Sequence, residues 1–369
     1  MPINRRAFLY AAGLGAAAAT LGGCGGTQTT SPLQRGSADP PVDFSALARK
    51  LSGPLITPNQ PGYHLARRSF NPLFDNRRPA AIAQCRRIED VQACVSTAAA
   101  ARAPIAARSG GHSYPGYSTP DGALIVDLSG MSSVEVNPDG TAVIGGGARL
   151  IDVYTALAGA GRCLPAGSCP SVGIAGLTLG GGIGVLSRKY GLTCDRLRSA
   201  TVVTADGIAR TVSASAEPDL YWALRGGGGG NFGIVTSFTF DTVPAPQLAV
   251  FQLDFPAGSV TDVLGGWQQW IINMPDELWS KCNIIGGSPP SGTVIGCYVG
   301  PATGLNPLLA DLTQRIGNLQ PTYASLPNTT VSTGCVTSPA ARPNRSPSAT
   351  TRPVARSGIA KRSLPRRGL

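Results

Sequence analysis

Between residues 76 and 242 the chain is written in short apolar runs, each stopped by Gly, Pro, Asn or Asp. "AIAQC" (81–85), "PIAAR" (104–108), "ALIVDL" (123–128), "SVEVN" (133–137), "TAVIGGG" (141–147), "SATVVTADG" (199–207) and "VTSFTF" (235–240) read as strands on that pattern. Two stretches switch to a helical period. In 88–103, Ile88, Val91, Cys94, Val95 and Ala98 recur on one face, and Glu89 and Asp90 stand favourably in the opening turn. The second is 150–161, "LIDVYTALAGAG". Strand, helix and strand with mixed pairing predict an α+β domain over residues 61–242. Over 243–334 the texture changes: "AVFQLDF" and "GTVIGCYVG" alternate as strands, and "VTDVLGGWQQWIINMP" between them reads as an amphipathic helix. This predicts the beginning of a second α+β domain.

The ends of the chain follow neither pattern. Residues 335–369 have no hydrophobic period and consist largely of Arg, Pro, Ser and Ala, the composition of a disordered tail or of a frame-shifted translation. That tail carries seven Arg and one Lys and no acid. Eight of the eleven net positive charges therefore lie there, and the remainder of the chain carries only +3. A nucleic-acid-binding body is not indicated. At the other end, Arg5 and Arg6 precede the apolar run "LYAAGLGAAAATLGG", which is too short to span a membrane. Twin arginines there resemble a Tat export signal, and "LGGC" (21–24) resembles a lipobox that would leave Cys24 as a lipidated first residue. The expected organisation is thus a signal over 1–23 and a lipidated Cys24 with tether and linker over 24–60. A domain over 61–242, a partial second domain over 243–334 and the basic tail from 335 follow. The expected location is the cell envelope, with the only membrane contact through the lipid, or secretion.

Eight further cysteines form no CxxC pair, and the two histidines, His64 and His112, lie far apart, so no metal site is expected. Most of these thiols read as small buried hydrophobes, with a Cys85–Cys94 disulfide open as an alternative.

The candidate chemistry sits in three glycine-rich segments. "RSGGHSYPGYS" (108–118) follows a predicted strand and places His112 behind Gly110 and Gly111, where successive amides can form an anion-binding nest. "GSCPSVGIAGLTLGGGIG" (167–184) holds seven glycines and Cys169, more glycine than a turn requires, so its backbone is expected to lie against something flat. "WALRGGGGGNFGIVTSF" (222–238) adds five consecutive glycines before a strand. One histidine in the first loop and one cysteine in the second are what a doubly tethered flavin needs.

Together, and in this order, the three segments resemble the berberine-bridge-enzyme-like flavin oxidases of the vanillyl-alcohol-oxidase superfamily, across roughly residues 70–242. The resemblance implies an α+β fold with a PCMH-type FAD-binding domain followed by an incomplete α+β substrate domain. It implies FAD bonded to His112 and Cys169, with the pyrophosphate cradle at Arg108, Ser109, Gly110, Gly111 and Ser113. The strip beside the isoalloxazine maps onto Val172, Gly173, Gly176, Gly180 and Gly181, with Ile234 and Val235. The implied reaction is hydride transfer from a hydroxylated small molecule or sugar, with O2 as electron acceptor; a small side chain at Val172 goes with oxidase behaviour. The chain departs from the family pattern near residue 335, where relatives continue. Leu177 stands where many members carry His. No catalytic base is assigned: Tyr298 on "TVIGCYVG" is the best-placed candidate, but such a residue is more often a strand core or surface residue. The alternatives are a flavin-binding remnant without catalysis and a dehydrogenase that uses another acceptor.

Overall fold

The first sheet is assembled from β1 (Leu55–Ile56), β2 (Ala81–Gln84), β3 (Ile105–Arg108) and β4 (Leu124–Asp127), in the order β1–β2–β4–β3. In this computed structural model residues 44–325 are described. Arg5, Arg6, Cys24, Cys335 and the basic tail lie outside the described residues. β2, β4 and β3 run parallel and β1 antiparallel to β2. Parallel strands need a crossover, and α1 (Ile88–Ala100) supplies it between β2 and β3. β4 is buried along its whole length, which explains its unbroken apolar run.

A second sheet follows. The strands are β5 (Val134–Val136), β6 (Thr141–Gly145), β7 (Arg162–Cys163), β8 (Leu197–Val203), β9 (Ala209–Ser213), β10 (Ile234–Asp241) and β11 (Val243–Pro244). β5–β6–β10–β8–β9 form an antiparallel sheet, and β7 pairs with β11 alone. Along β10 burial alternates, and Phe238 and Phe240 point to the same face. That face packs with Leu150, Val153, Tyr154 and Leu157 of α2 (Leu150–Gly159) and with Ile174 and Leu179 of α3 (Ile174–Leu179). α4 (Pro218–Leu224) adds Leu224 to the same core. Sheet and α2 therefore meet where the second glycine segment passes.

The third sheet, β12 (Leu248–Asp254), β13 (Leu278–Ile285), β14 (Ser291–Val299) and β15 (Tyr323–Ser325), is antiparallel in the order β13–β14–β12–β15. α5 (Val260–Ile271) and α6 (Ala302–Arg315) share a core with it through Phe251, Val263, Trp270, Leu305 and Leu312. The Trp270 indole N–H donates to the Leu308 carbonyl at 2.9 Å, which satisfies the one polar atom of a fully buried ring. The fold is α+β, as the alternation predicts.

Every strand and helix expected from the pattern exists, with shifts at the ends. The helix expected over 88–103 stops at Ala100, because Arg102 turns left-handed (φ 49°) and the Ala103 amide bonds back to Ala98. α6 was not expected, since Pro307 lies inside it; its Leu305, Leu309 and Leu312 nevertheless form one buried stripe. The Cys85–Cys94 alternative is not taken up: both thiols are free and fully buried. No helix among the described residues is long and apolar enough to cross a membrane.

Asp90 anchors α1. Its buried carboxylate accepts from the Ser52 hydroxyl and from the amides of Ser52, Arg86 and Arg87. Burial alone would raise its pKa, but these hydrogen bonds outweigh that effect and hold it below the ordinary 3.8. A depressed folded pKa stabilises the protein above the unfolded value, and that stability is lost as pH falls through the folded one. Asp90→Asn should therefore cost about 1–3 kcal/mol at neutral pH and flatten the fall in stability below pH 4, read by urea unfolding at several pH values.

Candidate functional site

Two glycines set the site. Gly110, two residues past the end of β3, and Gly173, the residue before α3, lie backbone against backbone. A Cβ on either would fall onto the amide nitrogen of the other. The Ser171 carbonyl closes the same gap from beside Gly173. Behind the contact, the second loop is tied to the start of α2. The Leu150 amide donates to the Val172 carbonyl at 2.9 Å, the Ile151 amide to Pro170 at 3.0 Å and the Ile174 amide to Ala148 at 2.9 Å. The first loop is held by the Ser69–Phe70 segment, whose Phe70 amide donates to the Gly111 carbonyl at 3.1 Å. Gly111 takes φ +71°, open to glycine at little cost.

This contact brings His112 and Cys169 together, 57 positions apart in sequence. His112 Nε2 lies 3.0 Å from Ser171 Oγ, and Cys169 Sγ lies 3.6 Å from that same oxygen. Phe70 stacks on the imidazole with centroids 3.8 Å apart and planes 18° from parallel. Burial, and then the Arg149 guanidinium, hold the His112 pKa below its usual 6.5, so the neutral ring dominates at neutral pH. A neutral imidazole keeps one lone pair free for attack. Both cysteine and histidine are half-buried, which leaves a reacting group access to each.

The other residues expected at the cradle divide by which atoms are free. Arg108 ends β3 opposite Asp127 at the end of β4. Its Nε and Nη2 bind one carboxylate oxygen at 3.0 and 2.6 Å, and Nη1 is buried without a partner. Ser109 Oγ donates to the Gly146 carbonyl at 2.6 Å, and Ser113 Oγ accepts from the Tyr117 amide at 3.0 Å. These side chains hold the loop. The amides of Gly110, Gly111, His112 and Ser113 donate to no backbone carbonyl among the described residues and remain to form the nest. The nest lies beyond the C-terminal ends of parallel β3 and β4, where open parallel sheets bind ligands.

Along the strip, Gly176 and Gly180 are exposed and have ordinary negative φ. Nothing in the protein comes within 3.4 Å of where their Cβ atoms would stand. Glycine inside a helix costs about 0.5–1 kcal/mol relative to alanine, so packing within the chain does not account for Gly176. The face it leaves on α3 is open enough for a flat group to lie on. Thr178, on the opposite and fully buried side of α3, has a hydroxyl without a partner, as do the buried Ser118 and Thr119. Gly181 turns left-handed at φ +102°, and the third glycine segment docks there through the Gly228 amide on the Leu179 carbonyl at 2.8 Å. Val172 is half-buried over the second sheet's core. Ile234 and Val235 begin β10 and are buried, with Val235 in that core. Leu177 packs on the core as well, and Tyr298 packs on the core of the third sheet. His64 is exposed beside Tyr63. Sequence reasoning passed over Ser171, Phe70, Arg149 and Asp127. Only Ser171 stood inside a motif, two residues after the cysteine.

Residues 79–213 match the family model described as an FAD binding domain. The uncharacterized FAD-linked oxidoreductase YgaK of Bacillus subtilis is 41% identical over 268 residues, covering 71% of this chain and 59% of that protein. Among solved structures, BBE-like 1 of Physcomitrella patens superposes with a TM-score of 0.72 at 33% identity, over 78% of this chain and 63% of that one. Residues 79–213 are thus similar to FAD binding domains, and the fold is similar to that of a BBE-like flavoprotein. Glucooligosaccharide oxidase from Acremonium strictum, whose FAD is described as 6-S-cysteinyl and 8α-N1-histidyl, superposes at 0.69 with 34% identity, over 78% of this chain and 60% of that one. The chain thus spans roughly three fifths of the length of these relatives. The residues present fit FAD. The free amides and Arg108 Nη1 suit a pyrophosphate, and the exposed Gly176–Gly180 face suits the ring.

The FAD-binding domain's two kinds of glycine should part on substitution. Gly173→Ala meets the backbone of Gly110 and should cost about 1–3 kcal/mol of stability. Gly176→Ala should keep or raise stability by up to about 1 kcal/mol while reducing the FAD retained on purification. Urea unfolding and flavin absorbance of the two purified variants test the distinction.

Proposed function

We propose that the protein is an FAD-dependent oxidase that takes a hydride from a hydroxylated sugar and passes the electrons to O2, with its flavin bonded to both His112 and Cys169. The observation that carries this reading is the shared Ser171 hydroxyl, which places the two nucleophiles beside one nest of amides. The name and the described flavin linkages of glucooligosaccharide oxidase support both the sugar and the double attachment.

When bound, the flavin supplies a hydride acceptor; the chain's own residues bind and orient it. The nest and Arg108 would hold the pyrophosphate end, the glycine face of α3 would carry the ring, and His112 and Cys169 would fix its position. A base for the substrate hydroxyl is not assigned to this chain. Acid-precipitated protein should keep its yellow colour, and a panel of oligosaccharides should release H2O2 in air. Colour lost entirely to the supernatant would refute the covalent attachment. Colour retained without peroxide, while an artificial acceptor is reduced, favours the dehydrogenase alternative.

Export to the cell envelope by Arg5 and Arg6, with a lipid on Cys24, is part of the same proposal and rests on sequence. Changing both arginines to Lys should hold the precursor in the cytoplasm, and Cys24→Ala should release the exported protein from membranes, both read by fractionation.

A further inference from the structure

Among the described residues, the hydroxyl of Ser171 touches both attachment residues. It lies 3.0 Å from His112 Nε2 and 3.6 Å from Cys169 Sγ. A serine hydroxyl has one proton to donate and two lone pairs to accept, so it can accept from one neighbour while donating to the other. A neutral imidazole can donate through Nε2–H, and a sulfur can accept. With that assignment the Ser171 oxygen accepts from His112 and its proton points at Cys169. The lone pair of Nδ1 is then left without a competing proton.

Nor is Ser171 free to drift. The Val172 amide closes a turn on the Cys169 carbonyl at 3.2 Å, and the residues on both sides of Ser171 accept from the first amides of α2. Its own carbonyl is pressed against Gly110. The histidine it faces is held from another side by the stacked Phe70 ring. The hydroxyl is therefore placed by backbone that also forms the contact between the two loops.

We propose that Ser171 is a positioning residue for flavin attachment, holding the His112 imidazole by Nε2 and the Cys169 sulfur so that Nδ1 and Sγ face the bound ring together. This rests on the double attachment proposed above. Each attachment exchanges one flavin C–H and one N–H or S–H of the protein for a C–N or C–S bond. The two electrons and two protons released reduce one O2 to H2O2. For His112 the hydrogen lost is the Nε2–H that faces Ser171, after which Nε2 becomes an acceptor and the Ser171 hydroxyl can turn to donate to it. Orientation of this kind is worth large factors in rate, because a small misplacement of a nucleophile costs orders of magnitude.

The test compares full-length wild type, Ser171→Ala and Ser171→Thr, each incubated aerobically with FAD. Covalent flavin on His112 and on Cys169 is followed over time by peptide mass mapping of the denatured protein. Melting temperature and total flavin before denaturation serve as controls. The expected result is that Ser171→Ala binds FAD and melts like the wild type but attaches it at least about tenfold more slowly at both residues, and that Ser171→Thr, which keeps the hydroxyl, restores both bonds. Attachment at both residues at the wild-type rate in Ser171→Ala would overturn the proposal, as would slow attachment in Ser171→Ala that Ser171→Thr does not rescue. Failure of the underlying reading looks different: the wild type itself would then carry no covalent flavin, and this inference would fall with it.

Discussion

Everything distinctive about this chain depends on two backbones touching. Gly110 and Gly173 approach so closely that neither can carry a side chain, and this contact lets two loops from different parts of the sequence act as one site. The first loop leaves a parallel sheet at the end of β3, and the second enters α3 beside the antiparallel sheet. Each loop is fixed to its own side, by the Phe70 amide for the first and the opening amides of α2 for the second. The site is therefore as rigid as the packing of the two sheets, although most of its atoms belong to loops.

The division of labour among the polar atoms follows from that rigidity. Side chains that sequence alone would assign to a ligand, those of Arg108, Ser109 and Ser113, spend most of their hydrogen-bonding capacity inside the protein. Their work is to present the amides of residues 110–113 toward the ligand. Buried pairs such as Arg108 with Asp127 add little net stability, because desolvation offsets attraction. They do fix geometry, and here they fix the ends of β3 and β4 in register. The glycines of α3 complete the arrangement by leaving a face that the protein does not fill.

Much of this was legible in the sequence, for physical reasons that also mark where legibility ends. Short apolar runs bounded by turn residues report strands directly, and β2, β3, β4, β6 and β10 stand where their runs do. Amphipathic spacing reported α1, α2 and α5 in the same way. β9 ("ARTVS") and β13 ("LWSKCNII") escaped because Arg, Thr, Ser, Lys and Asn break up their apolar positions. α6 escaped because Pro307 argues locally against a helix that the core enforces. His112 and Cys169 could be singled out because rare reactive residues stood in glycine loops. Ser171 could not, since a serine in a Pro-Ser turn is ordinary and its importance lies in two distances across 59 and 2 positions of sequence. Phe70 and Arg149 act on His112 from outside any motif, and only the folded chain brings them there.

The central claim is that one FAD is held by both loops at once. Proteolysis of the denatured full-length protein, followed by mass spectrometry, tests it most directly. The account predicts a single cross-linked species in which the peptide containing His112 and the peptide containing Cys169 are joined through one flavin. Recovery of both peptides unmodified, with all flavin released as free FAD, would contradict it.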